Sequence, residues 1–547
     1  MPRRATVVAA IALLLIGALS AWLRGPGFTQ GGFASHDVAA MLHSSLLLLD
    51  GGLPYVDSIE LKAPGTFYLG VLLAGGTDIA AFQIAANLWA MASLGVVAMI
   101  AWRQWGPAAA VVAAGLYALH DAHLDSMDAN YVTWAQLPLT AGVGVALGAP
   151  RGATRRRQWV RWMAAGALVG AAVLLKRPAV AGVLVATGLA LWPTATDRLS
   201  RRGRVLAVLA GVLVAHVPIA VHYAAAGQLP ALVDGYVLNR WGMRYVQQGG
   251  GVDDAGGFPA VEGLLALVHF LALPLALAMT AVVPPRDDRA RRQWGALVLW
   301  TLATLVAASI GLRFYKGYFL AVAPPLCLWA AAPWGLLGAR TRSAGQEQGA
   351  GQEQVQEALL RRLRRLRGRR GGLRALLLLP ALVLALRQLA VLEHLRADRA
   401  RPHDQGGRVI ARVVLRDHRP GDRIWVWGWH LWDVYPLTGM RAASRVYKSL
   451  GLLTQANDDT WRTPSSRLRF VDGPAAEILL EDLRANRPAW IVLGSTVPRR
   501  QFTALQQLLR EQYQLERKVR LGRVQFWHRK DRAAAMRAQM RDRQRHR

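Results

Sequence analysis

The sequence predicts a polytopic α-helical membrane protein with about eleven transmembrane helices, followed by a small α/β domain. Of its 547 residues, 53% are hydrophobic, and the mean hydropathy is +0.21. Apolar runs of about twenty residues recur along the chain, which is the length that crosses a bilayer core of roughly 30 Å. Beyond residue 391 the apolar runs shorten to strand length and alternate with helix-like segments. These two patterns place a membrane region before a C-terminal region of different architecture.

Eleven segments are long and apolar enough to be candidate spans. They are 5–23, 80–101, 107–119, 131–149, 160–175, 178–193, 205–224, 261–283, 295–311, 317–338 and 373–391. Basic residues concentrate in every second loop, as in 151–157 and in the run RRLRRLRGRR at 361–370. Because basic loops stay on the cytoplasmic side of a membrane, the N-terminus is predicted to be inside. The loops predicted to be outside are 25–79, 120–130, 225–260 and everything after about 392. The short hairpin at Lys176-Arg177-Pro178 is predicted to lie on the same side.

The charge and cysteine content exclude other classes of protein. A formal net charge of +32 would suggest nucleic-acid binding in a soluble protein. Here the arginines lie in short loops between spans, where they set orientation, so the lipid bilayer is the expected partner and nucleic acid is not. The single cysteine, Cys327, falls within a span, so an intramolecular disulfide is excluded.

The predicted domains follow from these patterns. Residues 1–391 form the membrane domain, whose first outer loop, 25–79, carries interfacial helices. Residues 392–530 form an extracytoplasmic α/β domain, and 531–547 are a basic tail. The predicted strands of the α/β domain are 422–429, 488–494 and 522–528, and its main predicted helices are 475–485 and 500–513.

The first outer loop concentrates the charged residues that are candidates for a functional site. Asp37, Glu60 and Lys62 lie in the stretch HDVAAMLHSSLLLLDGGLPYVDSIELKAPGTFYL, which spans 36–69. Ionisable residues near the bilayer are costly, so such a group usually marks a site. The plainer alternative is a pair of interfacial helices with snorkelling charges, in which the leucines of 37–49 lie along the membrane surface.

Several motifs follow one another in order along the chain. They are Asp37, Gly52-x-Pro54-Tyr55-x-Asp57, Lys62-x-Pro64 with Tyr68, Lys176-Arg177-Pro178, Arg313-Phe-Tyr315-Lys-Gly-Tyr318 with Pro324, and Trp425-Val-Trp427-Gly428 with Tyr435 and Ser444-Arg445. Together they resemble the motifs of the GT-C superfamily of integral-membrane glycosyltransferases. Within the superfamily, the chain is most similar to glycosyltransferase family 39 and its bacterial relatives. That group includes protein O-mannosyltransferases and lipid A aminoarabinose transferases.

The resemblance implies transfer of a sugar from a polyprenyl-phosphate donor to a lipid, glycan or protein acceptor. The reaction would take place on the outer side of a bacterial inner membrane. The resemblance also implies a role for each matched residue. Asp37 is the candidate general base and Asp128 the second acidic residue; Lys62, Lys176, Arg177 and Arg313 are candidates to bind the donor phosphate; Tyr55, Asp57, Glu60, Tyr315 and Tyr318 are candidates to bind substrate. A carboxylate beside a low-dielectric boundary is expected to have a raised proton affinity, which would suit Asp37 as the base.

The chain departs from the pattern of its relatives at three sites, at one of which Lys316 stands where relatives often carry a nearby histidine. Relatives usually carry Asp-Glu at the first acidic site, where this chain has His36-Asp37-Val38. The second outer loop, HDAHLDSMDAN at 120–130, offers only aspartates and histidines. His120, Asp121 and His123 are candidate ligands for a divalent metal cation, since nitrogen and oxygen ligands suit such ions. The alternative is an ordinary solvated acidic loop.

Two other functions compete with glycosyl transfer. A polytopic lipid or solute transporter, or a flippase, with an outer accessory domain would share the same composition. Transporters often carry paired repeats and interrupted helices near the bilayer midplane. This sequence shows no convincing internal repeat, and its charged groups collect at one face. A catalytically inactive relative that acts as a binding scaffold is the third alternative, because of the altered His36-Asp37 site.

Overall fold

The computed structural model describes most of the chain. The described residues are 2–29, 35–148, 154–192, 198–247, 259–281, 287–346, 369–400, 406–456, 461–462, 468–516 and 521–535. Most of the predicted arginine run 361–370 and of the basic tail 531–547 therefore lies outside the described residues.

Twenty helices lie in the described parts of the chain. They are α1 Pro2–Leu23, α2 Gly25–Thr29, α3 His36–Leu49, α4 Gly65–Ala74, α5 Ile79–Trp105, α6 Pro107–Asp121, α7 Tyr131–Leu147, α8 Arg155–Leu175, α9 Val180–Leu191, α10 Arg201–Ala225, α11 Leu229–Leu232, α12 Arg240–Gln247, α13 Pro259–Met279, α14 Asp288–Ser309, α15 Ala323–Gln346, α16 Arg369–Ala400, α17 Gly406–Val414, α18 Val434–Thr438, α19 Pro474–Asn486 and α20 Thr503–Gln512. Short 3-10 or π-helical turns join several of them, notably 122–126, 177–179, 233–237 and 316–321.

Each of the eleven predicted spans coincides with one of these helices. Within the described residues, five helices are long and apolar enough to cross a bilayer, namely Arg4–Leu23, Ile79–Trp105, Arg155–Leu175, Arg201–Ala225 and Ala260–Met279. A polytopic membrane protein accounts for this architecture. The crossing number of eleven stays a prediction, since the other helices are shorter or less apolar.

Small residues let the long helices pack closely. A Cβ atom on Gly166 of α8 would lie 2.0 Å from the carbonyl oxygen of Val208 on α10. A Cβ atom on Gly211 of α10 would lie 2.0 Å from the carbonyl oxygen of Met163 on α8. Backbone contact of this kind is typical of membrane helices, where packing replaces the hydrophobic effect as the driving force. A side chain at either glycine would therefore push α8 and α10 apart.

Side-chain caps fix the starts of three helices that follow the basic loops. Thr154, Ser200 and Asp287 accept hydrogen bonds from backbone N–H groups in the first turns of α8, α10 and α14, at 3.3, 3.1 and 2.8 Å. A cap of this type satisfies one of the amides that the first helical turn leaves without a partner. These ends can therefore lie at the membrane interface at little cost.

The C-terminal region contains a four-stranded sheet in the order β1-β4-β6-β5 and a separate two-stranded ribbon. The strands are β1 Ile424–Trp427, β2 Thr454–Ala456, β3 Leu468–Phe470, β4 Trp490–Leu493, β5 Tyr513–Leu515 and β6 Gln525–Arg529. Strand β1 pairs with β4 in parallel, whereas β6 pairs antiparallel with both β4 and β5; the ribbon is β2 with β3. The three predicted strands correspond to β1, β4 and β6, and the predicted helices to α19 and α20.

The two faces of β1 pack against different parts of the protein. Trp425 and Trp427 lie in a core with α19 and α20. Ile424 and Val426 point the opposite way, as alternate residues of a strand do, into a core that includes Met41 of α3. The sheet is therefore seated on α3, which links it to the membrane helices.

Helix α3 is buried within the protein, whereas one alternative from the sequence placed the leucines of 37–49 along the membrane surface. Ten consecutive residues, Val38 to Leu47, are buried, because the sheet covers one side of the helix and the membrane helices cover the other. A helix that is apolar nearly all round is typical of such a buried position. Asp37, at its first turn, is thereby held at the junction of the two regions.

Candidate functional site

The loops that were predicted to be outside meet at one end of the helical bundle, and Arg177 ties them together. Its guanidinium donates hydrogen bonds to the carbonyl oxygens of Leu61 (2.8 Å), Gly235 (2.8 Å) and Tyr236 (2.9 Å), and to that of Lys62 (3.4 Å). Loops in contact with one another share a side of the membrane. Arg177 therefore organises the wall of the site, and its predicted role as a phosphate ligand has only the donor that these four carbonyls leave.

Asp37 and Lys62 come together as the first outer loop folds back on the start of α3. The Lys62 ammonium lies 3.5 Å from the Asp37 carboxylate, and the two side chains are 37% and 22% exposed. Asn130 donates a hydrogen bond to the other carboxylate oxygen at 3.4 Å. The Lys62 ammonium also lies 4.9 Å from the centre of the Tyr131 ring. The predicted base and one predicted phosphate ligand are thus neighbours, and both side chains are partly exposed.

The expectation that Asp37 has a raised proton affinity is wrong for this structure. Burial alone would raise the pKa of the carboxyl group, but the positive charges of Lys62, His36 and Lys448 outweigh it and lower the pKa to about 2. Opposite charges within a few ångströms stabilise the ionised form in this way. Asp37 is therefore a carboxylate throughout the physiological pH range.

Lys176 belongs to the same group of charges. It is half-buried, and its ammonium lies 4.8 Å from the centre of the Tyr318 ring. Burial and the nearby charge of Lys62 lower the pKa of Lys176 to about 7, although Asp37 and Asp125 act in the opposite direction. Lys176 and Tyr318, predicted separately as phosphate and substrate ligands, thus form one wall of the site.

Lys316 and Asp125 form an ion pair at 2.8 Å on the neighbouring wall. Asp125 has a left-handed backbone with φ +67°, which is uncommon for a residue other than glycine. The pair joins the turn 122–126 to the turn 316–321. In the sequence, Lys316 stood out only as a departure from the pattern of the relatives, and Asp125 only as one of the aspartates of the second outer loop that could bind a cation.

Glu60 is bound by the C-terminal region, which the sequence did not predict. Its carboxylate accepts hydrogen bonds from the Lys448 ammonium at 2.5 Å, from the Tyr447 hydroxyl at 2.5 Å, and from the Ser44 hydroxyl. The side chains of Glu60 and Lys448 are 0% and 4% exposed. Glu60 therefore links the first outer loop to α3 and to the C-terminal region. With these partners in place its carboxylate contacts protein groups, whereas it was predicted to bind substrate.

Lysine is rare in this chain, and the site gathers most of it. Of 66 lysine and arginine residues, only six are lysine. Four of the six are Lys62, Lys176, Lys316 and Lys448, and each pairs with or influences a carboxylate at this site. Elsewhere the chain uses arginine almost exclusively. The concentration of lysine is therefore a feature of the sequence that marks this site and that motifs alone do not reveal.

Tyr55 and Asp57, two of the predicted substrate ligands, instead shape the turn before Lys62. The Tyr55 hydroxyl donates to the carbonyl oxygen of Lys62 at 2.6 Å, and Asp57 accepts from the backbone N–H of Leu53 at 2.7 Å. Tyr55 has φ +68°, a strained conformation that the surrounding contacts must maintain. Both side chains fix the backbone that carries Lys62.

Arg313 is buried in a strained segment that ends α14. Its neighbours Leu312 and Phe314 have φ values of +54° and +50°, and the Arg313 side chain is 5% exposed. The backbone N–H of Trp461 donates to the carbonyl oxygen of Arg313 at 3.0 Å, so the C-terminal region also reaches this wall. Left-handed residues of this kind cluster at functional sites. Tyr315 follows, with its ring centre 5.6 Å from that of Tyr318.

Two further polar groups near Asp37 and Lys62, those of Asp128 and Tyr131, are buried. Asp128 is 6% exposed, and burial raises its pKa, an effect that Arg399 opposes and that Asp125 and Asp37 strengthen. The hydroxyl oxygen of Tyr131 is buried and has no hydrogen-bond partner among the described residues. Buried polar atoms usually have partners, so the Tyr131 hydroxyl is available to form a hydrogen bond with a ligand. Asp128 remains the candidate second acidic residue.

The predicted metal ligands have other partners. Asp121 forms a buried ion pair with Arg24 at 2.5 Å. His120 is hydrogen-bonded to the carbonyl oxygen of Leu116 at 2.8 Å, and His123 lies beside Gln388 at 3.3 Å. Within the described part of the chain, no three histidine, cysteine or acidic side chains converge in a way that could hold a metal ion. The metal hypothesis for these residues is therefore not supported.

Comparison with known proteins bears on the fold. No family model matches the chain, and no curated protein matches it. The solved structure of ArnT from Cupriavidus metallidurans bound to undecaprenyl phosphate is similar, with a TM-score of 0.58 at 16% identity, covering 94% of this chain and 97% of ArnT. Its apo state gives a TM-score of 0.57 at 16% identity, covering 95% and 98%.

A second type of protein shares the architecture. The archaeal oligosaccharyltransferase AglB from Archaeoglobus fulgidus, in complex with an inhibitory peptide and a dolichol-phosphate, gives a TM-score of 0.50 at 14% identity. The alignment covers 89% of this chain and 69% of AglB. ArnT and AglB are both GT-C superfamily glycosyltransferases. This chain therefore shares its fold with both proteins, in agreement with the resemblance seen in the sequence motifs.

Proposed function

We propose that this protein is a membrane glycosyltransferase that moves a sugar from a polyprenyl-phosphate donor to an acceptor on the outer side of a bacterial inner membrane. The observation that carries the proposal is the cluster of lysines around Asp37 at the junction of the membrane and C-terminal regions. The fold shared with ArnT, solved with undecaprenyl phosphate, and with AglB, solved with a dolichol-phosphate, supports it. The acceptor class, whether lipid, glycan or protein, stays open.

The proposed reaction is a displacement at the anomeric carbon. A bond forms between the acceptor oxygen and the anomeric carbon, and the bond from that carbon to the phosphate oxygen breaks. The acceptor hydroxyl loses its proton to Asp37. The polyprenyl phosphate leaves with one more negative charge than it carried as donor, so positive charge beside it stabilises the transition state more than the ground state.

Asp37 becomes a stronger base once the donor is bound. In the free site, nearby cations keep its pKa at about 2. A donor phosphate draws Lys62 to itself and offsets the positive charge near Asp37, which raises the proton affinity of Asp37. The carboxylate thus stays ionised until donor and acceptor are both present, and it then accepts the hydroxyl proton.

Lys62 and Lys176 are the proposed phosphate ligands, together with Arg313. Lys62 has only a 3.5 Å contact with Asp37 and is 37% exposed, so it can turn to a phosphate without losing a strong bond. Lys176 is held over an aromatic ring and has no salt bridge to a carboxylate in the described structure. Two ammonium groups at close range supply the charge-assisted hydrogen bonds that a phosphate requires.

The decisive experiment follows the label of a radiolabelled sugar. Purified protein in lipid nanodiscs is incubated with undecaprenyl-phosphate sugars and with an extract of cell-envelope acceptors. Transfer predicts that the label leaves the lipid and appears on an acceptor. A flippase would leave the label on the lipid, and that result, repeated over a panel of sugars, would refute the proposal.

The outer location of the site has its own test. A reporter active only in the cytoplasm is fused after Lys530, and a matched fusion is made after Arg103, in the last turn of α5, at the predicted inner end of the second span. The Arg103 fusion should be active and the Lys530 fusion silent. Strong cytoplasmic activity after Lys530 would place the C-terminal region inside and remove the site from the outer face.

A further inference from the structure

We propose that Lys448 and Tyr447 of the C-terminal region are positioning residues of the proposed transferase, which hold Glu60 and thereby fix Lys62 beside Asp37. The inference rests on the proposed function and deepens it. It makes the C-terminal region a working part of the site in the membrane region.

The hydrogen bonds of Glu60 link the membrane and C-terminal regions. One carboxylate oxygen accepts from Lys448 and the other from Tyr447 and Ser44, so both oxygens are used. The Tyr447 hydroxyl also lies 3.1 Å from the carbonyl oxygen of Ala40. Ala40 and Ser44 lie on α3, whose first turn carries Asp37. Tyr447 and Lys448 therefore connect α3, which carries Asp37, to the segment that carries Lys62.

The segment 59–62 is held by hydrogen bonds from two sides. On one side, the Ile59 backbone N–H donates to the carbonyl oxygen of Arg445 at 2.8 Å, and Glu60 is bound by Lys448. On the other side, Arg177 and Tyr55 donate to the carbonyl oxygens of residues 61 and 62. Lys62 follows Glu60 by two residues, so a shift of Glu60 moves Lys62.

The charges of Glu60 and Lys448 are buried. A lysine and a glutamate that are 4% and 0% exposed are costly to bury. An apolar pair of similar volume would hold the two regions together at lower cost, so an ion pair at this place calls for another role. The positive charge of Lys448 also reaches Asp37 and contributes to the low pKa of that carboxyl group, alongside Lys62 and His36.

The test separates positioning from mere stability. The variants are Lys448→Met, Glu60→Gln and the double variant Glu60→Gln/Lys448→Met, and the probe is undecaprenyl phosphate in nanodiscs. Lys448→Met leaves a buried carboxylate unpaired, so both thermal stability and affinity should fall. The double variant removes both charges and should recover most of the stability. Its Kd should stay about 10-fold or more above wild type, because displacement of a binding group by an ångström is costly.

A matched control comes from a second ion pair between the same regions. Arg441 contacts Asp50, at the end of α3, at 2.6 Å. Arg441→Gln breaks a contact between the same two regions far along α3 from Asp37, and it should leave the Kd unchanged. If the double variant regains wild-type affinity together with stability, the pair is only structural and the inference fails. If wild-type protein does not bind undecaprenyl phosphate, the proposed function fails and takes the inference with it.

Discussion

The two ion pairs of the first outer loop differ in almost every physical respect. Glu60 and Lys448 meet at 2.5 Å with side chains 0% and 4% exposed. Asp37 and Lys62 meet at 3.5 Å with side chains 22% and 37% exposed. A buried, fully hydrogen-bonded pair resists separation, whereas a partly exposed pair is worth about 0–1 kcal/mol and separates easily. The first pair is suited to fixing the backbone, and the second to exchanging partners during a reaction.

Among the variants of these residues, removal of the Asp37 carboxylate should have the largest effect, which is on turnover. Asp37→Asn keeps the size of the side chain but cannot accept a proton, so turnover should fall by about 10²-fold or more, the usual scale for a lost general base. Undecaprenyl-phosphate affinity should not weaken, because a negative charge beside the phosphate is lost. Single-turnover transfer of labelled sugar measures the first effect and equilibrium binding the second. Near-wild-type turnover would direct attention to Asp128.

Removal of the Lys62 charge should weaken binding of the donor phosphate. Lys62→Met loses a hydrogen bond to a charged group, worth about 1.5–3 kcal/mol, which corresponds to roughly 10- to 100-fold in Kd. The thermal midpoint should change little, because the contact with Asp37 is weak. A large loss of stability with unchanged affinity would contradict the view that the exposed pair exchanges partners.

Arg177 should behave in the opposite way to Lys62. Arg177→Lys keeps the charge but cannot reproduce four hydrogen bonds to backbone carbonyls from one planar group. Carbonyls left without a donor cost about 1–3 kcal/mol, so the free energy of unfolding should fall by that order. Thermal or denaturant unfolding measures it. Unchanged stability together with a loss of phosphate affinity would restore Arg177 as a direct ligand.

The smallest expected effect is a pH dependence of binding through Lys176. Its pKa is about 7 in the free site, against an ordinary value of 10.5, so it loses its charge as the pH rises above 7. A bound phosphate raises that pKa again, and binding then takes up a proton. Affinity should therefore fall by up to about tenfold per pH unit above pH 7.

The ligand for that titration is a polyprenyl phosphodiester, because its phosphate has no proton to lose in this range. Lys176→Met should show weaker binding at pH 7 and a flat profile above it. A slope that persists in Lys176→Met would assign the proton to another group. The same shift predicts that protein stability rises between pH 7 and 10.5, since the unfolded chain keeps the proton longer.

The sequence was sufficient for the long helices and for part of the site. Apolar length predicts a helix such as α5 (Ile79–Trp105), because the bilayer sets a minimum length for any span. Asp37, Lys62 and Lys176 were predicted to lie on one side of the membrane, and the structure brings all three together. Charge patterning carries that information because loops on one side are confined to the same thin layer.

The sequence was not sufficient for contacts that depend on how the two regions dock. Glu60 and Lys448 are 388 residues apart, and neither periodicity nor spacing predicts that they pair. The role of Arg177 was missed because a motif identifies a charge and not its acceptor. The sequence could have predicted the burial of α3. Between residues 37 and 49 its only titratable groups are Asp37 and His43, so the helix has no charged face for the membrane interface.

The seating of the sheet on α3 has a consequence for biosynthesis. Ser44 of α3 and its partner Tyr447 are 403 residues apart, so the helix is made long before the surface that covers it. At roughly 5–20 residues per second, the ribosome needs about 20 to 80 seconds to complete that stretch. Throughout that interval the nascent chain presents an apolar helix with no sheet to shield it. Assembly of this protein therefore requires that lipid or a chaperone occupy α3 and then yield it to the C-terminal region.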